Sequence, residues 1–312
     1  MTGLFLFIKL FLQGDYNMAS KVFFSRNLDG KNITELYKIF DGRLKGKVAI
    51  KLHSGEEGNQ NFLKPEYLKD VIDYVGGTVV ECNTAYDGER NTTEKHLKTL
   101  ESHGWSRYFD VDLLDKEQDD LVLMIPNGKV LKKNYVGKDL TKYDSLLVLS
   151  HFKGHPMGGY GGALKQLSIG IASSRGKAWI HSGGKTTDQY HLWEQVAPQD
   201  TFLEAMADAA SSVVNYFHGN AIYINIMKNM SVDCDCCAVA EDPCMKDIGI
   251  LISDDPIAID QACIDLVMKS NDPGKAHFME RVNTRHGIHT IEAAEKLDFG
   301  SREYELIEVN HR

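Results

Sequence analysis

Eight short apolar runs, each about the length of a β-strand, constrain the fold of this chain more than any other feature. They occupy residues 22–25, 48–52, 78–82, 121–125, 146–150, 221–226, 248–252 and 304–309. Several are continuously apolar, which is typical of strands covered on both faces. Helical patterns separate most of them, at residues 65–74, 92–103, 163–173, 202–217, 256–268 and 292–297. Strands that alternate with helices predict an α/β fold with a mostly parallel sheet.

The predicted architecture is a doubly wound-like sheet flanked by helices, with a small antiparallel hairpin at Asn127-Gly128. No linker or repeat divides the chain, so we assign residues 18–312 to a single α/β domain, with two lobes as the alternative. Residues 1–17 are predicted to be an extension outside the fold, because Met18 resembles a natural start. The rival interpretation is an amphipathic anchor, since the apolar stretch is too short to span a bilayer.

Charge and cysteine usage exclude several classes of partner. The formal net charge is −9 and no Lys/Arg run is present, which predicts binding to neither nucleic acid nor an anionic membrane. Four of the six cysteines fall within residues 234–244, whereas a disulfide scaffold spreads its cysteines over a short secreted chain. We therefore predict a cytoplasmic, reducing compartment, and we expect the clustered cysteines to serve metal binding or redox chemistry.

Two polar segments lie where strands are predicted to end, and ligands of open α/β sheets bind outside the carboxyl ends of strands. In the first, strand alternation places Lys51 and His53 on one side of the chain. A histidine here can ligate a metal or transfer a proton, and simple packing is the alternative. The second is the Gly-rich turn, residues 151–162. The predicted catalytic residues are His53, His151, His155 and Lys153.

The Gly-rich turn favours an anion as its ligand. Glycines let the backbone approach a bound molecule, and the helix predicted after the turn offers free N–H groups. Lys165, on that helix, adds positive charge. The residues predicted to bind the anion or a cofactor are Gly158, Gly159, Gly161, Gly162, Lys165 and Lys51. The alternative is a turn whose glycines only permit tight packing.

A third segment carries the clustered cysteines, and thiolates are soft ligands for zinc, iron or an iron–sulfur cluster. The predicted metal ligands are Cys234, Cys236, Cys237 and Cys244. Their spacing matches neither a zinc ribbon nor a ferredoxin, so redox-active thiols and structural cysteines stay open as alternatives. Asp233 and Asp235 are expected to raise the pKa of these thiols by charge repulsion, unless a cation lies nearby.

These segments together resemble one known family. The motifs that carry the resemblance occupy residues 49–56, 149–155, 161–167, 174–177, 233–236 and 255–262. They are similar to the domain-of-unknown-function 362 family, often labelled uncharacterised iron–sulfur centre proteins. Many members carry a ferredoxin-like insert after the 174–177 motif, but residues 178–201 contain no cysteine here. The resemblance therefore leaves only the Asp-Cys-Asp-Cys core to bind a cluster, and it supplies no reaction.

We expect a metal- or iron–sulfur-dependent oxidoreductase of anaerobic metabolism that acts on a small anionic metabolite and exchanges electrons with a redox partner protein. A non-enzymatic metal-binding or electron-carrier protein is the first alternative. The second is a metal-free enzyme in which histidine and lysine transfer protons and the cysteines are structural.

Overall fold

A central mixed sheet of eight strands organises the protein, as seen in a computed structural model that describes residues 19–309. Within these residues the strands are β1 (Ser20–Ser25), β2 (Val48–Lys51), β3 (Thr78–Glu81), β4 (Val111–Leu113), β5 (Asp120–Met124), β6 (Lys133–Gly137), β7 (Ser145–His151), β8 (Lys153–His155), β9 (Gly159–Gly161), β10 (Ala221–Met227), β11 (Gly249–Ser253) and β12 (Tyr304–Glu308). The central sheet has the order β12-β1-β11-β10-β7-β2-β3-β4, which confirms the predicted α/β class. The predicted extension at residues 1–17 lies outside the described residues.

Seven strands of the central sheet point the same way, and β11 alone runs antiparallel to both of its neighbours. β11 follows β10 through residues 228–248, which contain no helix. A parallel pairing needs a crossover back to the start of the strand, usually through a helix, so this shorter return pairs antiparallel. The sequence pattern predicted neither this reversal nor the short edge strand β4.

Helices cover both faces of the central sheet. Within residues 19–309 they are α1 (Gly30–Tyr37), α2 (Pro65–Val75), α3 (Thr93–Ser102), α4 (Ala163–Lys165), α5 (Ser174–His181), α6 (Gln199–Tyr216), α7 (Pro256–Lys269), α8 (Lys275–Thr284) and α9 (His289–Glu295). On one face Ile50 of β2 belongs to a core with Ile33 of α1. On the other face its neighbour Ala49 belongs to a core with Ala207 of α6. This alternation explains the continuously apolar strands.

Two small hairpins lie outside the central sheet. β5 pairs antiparallel with β6, which confirms the predicted hairpin, although residues 125–132 join them instead of a two-residue turn. β8 pairs antiparallel with β9, so the Gly-rich turn is itself a hairpin. The helix predicted over 163–173 consists of the single turn α4 and a π-helix at Gln166–Gly170. No helix among residues 19–309 has both the length and the hydropathy required to cross a bilayer.

Candidate active site

A cavity of about 500 Å³ lies at the carboxyl edge of the central sheet. β2, β3 and β7 are parallel, so their carboxyl ends meet at this edge. From the residues predicted by sequence, the cavity wall contains Lys51, His53, His155, Lys165 and Cys236. All three polar segments singled out in the sequence therefore converge on one cavity.

Lys51, at the carboxyl end of β2, is a buried cation with a buried partner. Its Nζ lies 2.5 Å from Oε2 of Glu81 on β3, and both side chains are less than 5% exposed. The β2–β3 register brings the two strand ends together. Ser54 N–H and Oγ donate to the other Glu81 oxygen. Because its charge is already neutralised, Lys51 orders the cavity floor more than it offers a free cation.

His151 and Lys153, two of the predicted catalytic residues, do not line the cavity. Both contact the buried carboxylate of Asp235: His151 Nδ1 lies 2.9 Å from it and Lys153 Nζ 2.8 Å from it. His151 Nε2 faces the Lys228 carbonyl. We infer that the two side chains position the cysteine segment by holding Asp235 beneath it.

Asp233 and Asp235, the two acidic residues beside Cys234, are each paired with a cation. His151 and Lys153 accompany Asp235, and Arg281 lies 3.0 Å from Asp233. From the sequence, these acids were expected to raise the pKa of the thiols only if no cation lay nearby. Cations lie beside both acids, so that expectation does not apply here.

The glycines of the Gly-rich turn, Gly158, Gly159, Gly161 and Gly162, do not line the cavity. A Cβ on Gly162 would overlap the Asp260 carboxylate, and one on Gly159 would approach Gly287 within 2.8 Å. The N–H groups of Ala163 and Leu164, at the start of α4, both donate to Asp260. They are therefore not free to bind an anion, and an internal carboxylate takes the place predicted for the ligand.

A matched pair of glycine variants tests this packing role. Gly162→Ala is expected to lower the free energy of unfolding by about 1–3 kcal/mol, because the new methyl group must displace Asp260. Gly161→Ala is the control, since its Cβ would sit 3.5 Å from the nearest atom, a Lys165 side-chain carbon. Urea unfolding of both variants measures the difference. Equal stabilities would show that packing at Gly162 is not what the turn requires.

The clustered thiols and one imidazole form a compact group. His155, Cys234 and Cys236 each place a donor atom within 4.8 Å of the others, which is close enough to hold a metal ion. Cys236 Sγ lies 3.7 Å from His155 Nε2. The Cys237 thiol contacts that of Cys236, whereas Cys244 lies apart and donates to the Met230 carbonyl. The structure thus assembles two of the four predicted ligands, adds His155 and separates Cys244.

The hydrogen bonds of the His155 ring decide whether this residue can bind a metal ion together with the two thiols. The N–H groups of Met157 and Gly158 donate to His155 Nδ1 at 3.1 and 2.8 Å. That nitrogen therefore accepts, and the proton of the neutral ring sits on Nε2, the nitrogen that faces sulfur. A ligating histidine instead donates from its outer ring nitrogen. The two thiols fit a soft metal ion, but His155 in this orientation does not fit as its third ligand.

Cys234 is instead surrounded by groups that stabilise a thiolate. His53 Nδ1 also accepts a backbone N–H, from Gly55, and both His53 and His155 hydrogen-bond the Cys234 thiol. Burial and Cys236 act to raise the pKa of Cys234, but Lys165 and Lys153 outweigh them and the net shift is downward. Such surroundings are those of a reactive cysteine.

The pKa of the neighbouring Cys236 thiol is raised, in contrast to that of Cys234. The hydrogen bond with Cys234 lowers the pKa of Cys236, but the contact with Cys237 and burial outweigh it and raise the pKa to about 11. Of the two thiols, Cys234 therefore loses its proton at the lower pH, and Cys236 remains a thiol at neutral pH. Cys236 is the one that faces the cavity.

Three histidines at the cavity are neutral at physiological pH. Burial lowers the pKa of His53, His155 and His181 to about 4 in each case. His181 is the last residue of α5, and its Nδ1 lies 2.8 Å from the Lys177 carbonyl. Neutral imidazoles can donate and accept hydrogen bonds to substrate without adding charge.

The sequence reasoning did not assign cavity roles to Glu81, Lys177 or His181. Glu81 was placed inside a strand, and its position at the strand end follows only from the observed register. Lys177 and His181 belong to α5, which begins because Ser173 accepts the Gly176 N–H at its amino end. A helix cap at Ser173 was the available signal, because it places residues 177 and 181 one turn apart on one face.

The chain belongs to the DUF362 family, a domain of unknown function whose sequence profile matches residues 48–265, more than half of the chain. This confirms the resemblance drawn from the motifs. No functionally curated protein matches the chain.

Two similar solved structures are the lactate racemase apoprotein from Thermoanaerobacterium thermosaccharolyticum and a structural-genomics protein from Thermotoga maritima. The first is 15% identical with a TM-score of 0.40, and the match covers 65% of this chain and 50% of that one. The second is 14% identical with a TM-score of 0.41, and the match covers 87% of this chain and 60% of that one. The chain thus spans half to three fifths of their length, and likeness at this level carries no inference about activity.

Proposed function

We propose that this protein is an oxidoreductase that uses the Cys234–Cys236 thiol pair on a small anionic metabolite bound in the cavity. The observation that carries the proposal is the arrangement around the buried Cys234 sulfur, which hydrogen-bonds two imidazoles, has a lowered pKa and lies behind a thiol on the cavity wall. Two thiols hold two electrons and two protons that become available when a sulfur–sulfur bond forms. The reaction class expected from the sequence is therefore kept, with the thiols in place of a metal.

The positions of the two sulfurs give them different roles in the proposed reaction. The Cys236 sulfur faces the substrate and adds to the electrophilic atom of a double bond, and the π electron pair of that bond takes up the thiol proton. The Cys234 thiolate then attacks the Cys236 sulfur, so that the sulfur–sulfur bond forms and the bond to the substrate breaks with its electron pair. A second proton from solvent completes the reduced product. A redox partner protein would reduce the disulfide again, which requires an electron donor of dithiol type.

Cations in the cavity favour an anionic substrate. Lys165 is half-buried on the cavity wall, and among residues 19–309 no carboxylate lies within ion-pair distance of its Nζ. Arg90 is paired with Glu56 and so contributes less. The unpaired Lys165 ammonium in a partly apolar cavity suits a metabolite with a carboxylate or phosphate group.

Thiol mapping combined with metal analysis tests the proposed function. Protein purified without oxygen is expected to contain far less than one metal per chain and to form a Cys234–Cys236 disulfide in mild oxidised glutathione. Cys234→Ser and Cys236→Ser should each abolish this disulfide, while Cys244→Ser, outside the group, should leave it intact. If oxidation instead spreads over all cysteines alike, the proposal is wrong.

A metal-dependent oxidoreductase is the second candidate, because the Cys234 and Cys236 sulfurs lie within 4.8 Å of each other and suit a soft metal ion, with its remaining ligands supplied from elsewhere than His155. An ion or an iron–sulfur cluster at this point would supply Lewis acidity or electron transfer. Its signature in the same experiment is stoichiometric metal that is lost in Cys234→Ser and Cys236→Ser and retained in Cys244→Ser. Visible colour that disappears with the metal would indicate iron–sulfur chemistry.

A further inference from the structure

Lys177 is a buried amine on the cavity wall that the proposed thiol chemistry does not use. Its side chain belongs to α5 and the residue is 7% exposed. Nζ donates one hydrogen bond, at 2.6 Å, to the Ala172 carbonyl. No carboxylate among residues 19–309 lies within ion-pair distance of it. An ammonium with one neutral partner in a buried position is an unusual arrangement.

The other cations near the cavity are placed differently. Lys51 is paired with Glu81 and Lys153 with Asp235, so both keep their charge through a direct ion pair. Lys165 is half-buried and reaches solvent. Lys177 thus differs from its neighbours in being both buried and free of a carboxylate partner, which is the situation in which lysine serves as a nucleophile.

Burial shifts the protonation equilibrium of Lys177 toward the neutral amine. Burial is the largest influence and lowers the pKa of Lys177. Cys82 at the end of β3 and Asp115 after β4 act in the opposite direction, and the Lys51 ammonium adds to the lowering, with Glu81 opposing it. A desolvated lysine beside another cation is the arrangement that activates amines for attack on carbonyl carbon.

We propose that Lys177 forms an imine with a small 2-oxo carboxylate bound in the cavity. The neutral amine attacks the carbonyl carbon, the carbon–oxygen bond breaks, and the oxygen leaves as water with one proton from the amine and one from solvent. The second amine proton remains on the protonated imine nitrogen, where it keeps the hydrogen bond to the Ala172 carbonyl. The substrate carboxylate pairs with Lys165 on the same wall. No oxidant or reductant is consumed.

The imine at Lys177 would form in the same cavity as the proposed thiol chemistry, but its formation does not depend on the thiols. It defines the anionic metabolite as one that also carries a reactive carbonyl group. Cys234→Ser should therefore still form the imine, so failure of the thiol chemistry and failure of the imine would be seen separately.

Borohydride trapping with pyruvate or glyoxylate tests the proposal on the intact chain. Hydride reduces the imine to a stable secondary amine, and peptide mass spectrometry should place one such adduct on Lys177. Acetate, which lacks a reactive carbonyl, should give none. Lys165→Met should lower the yield at Lys177 about tenfold at a fixed, low pyruvate concentration, because the carboxylate loses its charged partner.

Lys177→Arg keeps a hydrogen-bond donor at this position and cannot form an imine, so this variant should lose the adduct while its melting temperature shows whether it folds. The mapping on the unaltered chain does not depend on that variant. An adduct on Lys165 in place of Lys177, an even spread over surface lysines, or no adduct at all would each overturn the proposal.

Discussion

Asp235→Asn is expected to lower the free energy of unfolding by about 3–5 kcal/mol. The Asp235 side chain is 1% exposed and faces two buried partners, the His151 imidazole with Nδ1 at 2.9 Å and the Lys153 ammonium with Nζ at 2.8 Å. Asparagine preserves the shape of the side chain and removes its charge, so Lys153 would remain buried without a counter-ion. The loss should appear in urea unfolding at neutral pH.

Asp233→Asn is the matched control on the same segment. Its carboxylate is 18% exposed and its partner Arg281 is 23% exposed, so both ions are partly hydrated before and after the change. The expected loss is about 1 kcal/mol or less. Equal losses for the two variants would show that the pair formed by Asp235 is not a buried anchor of the cysteine segment.

Lys51→Met is expected to lower the free energy of unfolding by about 3–5 kcal/mol, as Asp235→Asn does. The variant leaves the Glu81 carboxylate buried, with the Arg90 guanidinium at 3.8 Å as its remaining ion-pair partner. Methionine fills a similar volume and removes the charge. Lys98→Met is the control, since Lys98 pairs with Glu94 at the surface, with both side chains largely exposed, and its loss should not be measurable.

The buried Lys51–Glu81 pair also predicts how the stability of the protein changes with pH. Burial acts to raise the pKa of Glu81, but Lys51 and the nearby His53, His96 and Arg90 outweigh it and hold the pKa well below its ordinary value. A carboxylate of this kind contributes stability that is fully present above its unfolded pKa of about 4.3 and is lost as the pH falls below it. Unfolding measured from pH 6 to pH 3 should therefore show a shallower acid loss in Lys51→Met than in the unaltered chain. Parallel curves would contradict this assignment.

Much of the site's location could be predicted from the sequence, because the carboxyl ends of parallel strands share one edge of a sheet. Lys51, His53 and His155 were placed there by strand pattern alone, and the structure brings them to one cavity with Cys236. The reversal of β11 was not predictable in this way, since its hydrophobic pattern is the same in either direction.

The roles of individual side chains were harder to predict than their neighbourhood. Residues 151, 153 and 155 alternate as if on one side of a strand, yet β7 ends at His151 and a new strand begins at Lys153. His151 and Lys153 therefore meet Asp235, and His155 meets the thiols.

The capping of α4 depends on a contact across the fold. Asp260 belongs to α7, nearly one hundred residues after α4 in the chain. No local sequence pattern predicts that its carboxylate lies at the amino end of α4. The glycines around that helix end suggested an external anion because the internal carboxylate could not be seen in the sequence.

The role assigned to Cys234 is tested most directly by the ultraviolet thiolate absorbance of the metal-free, reduced protein, followed from pH 5 to pH 10 in the unaltered chain, in Cys234→Ser and in Cys244→Ser. We expect a thiolate signal that develops below the ordinary cysteine pKa of about 8.5, and we expect it to be lost in Cys234→Ser but kept in Cys244→Ser. A thiolate signal that appears only above pH 8.5 in all three proteins would contradict that role.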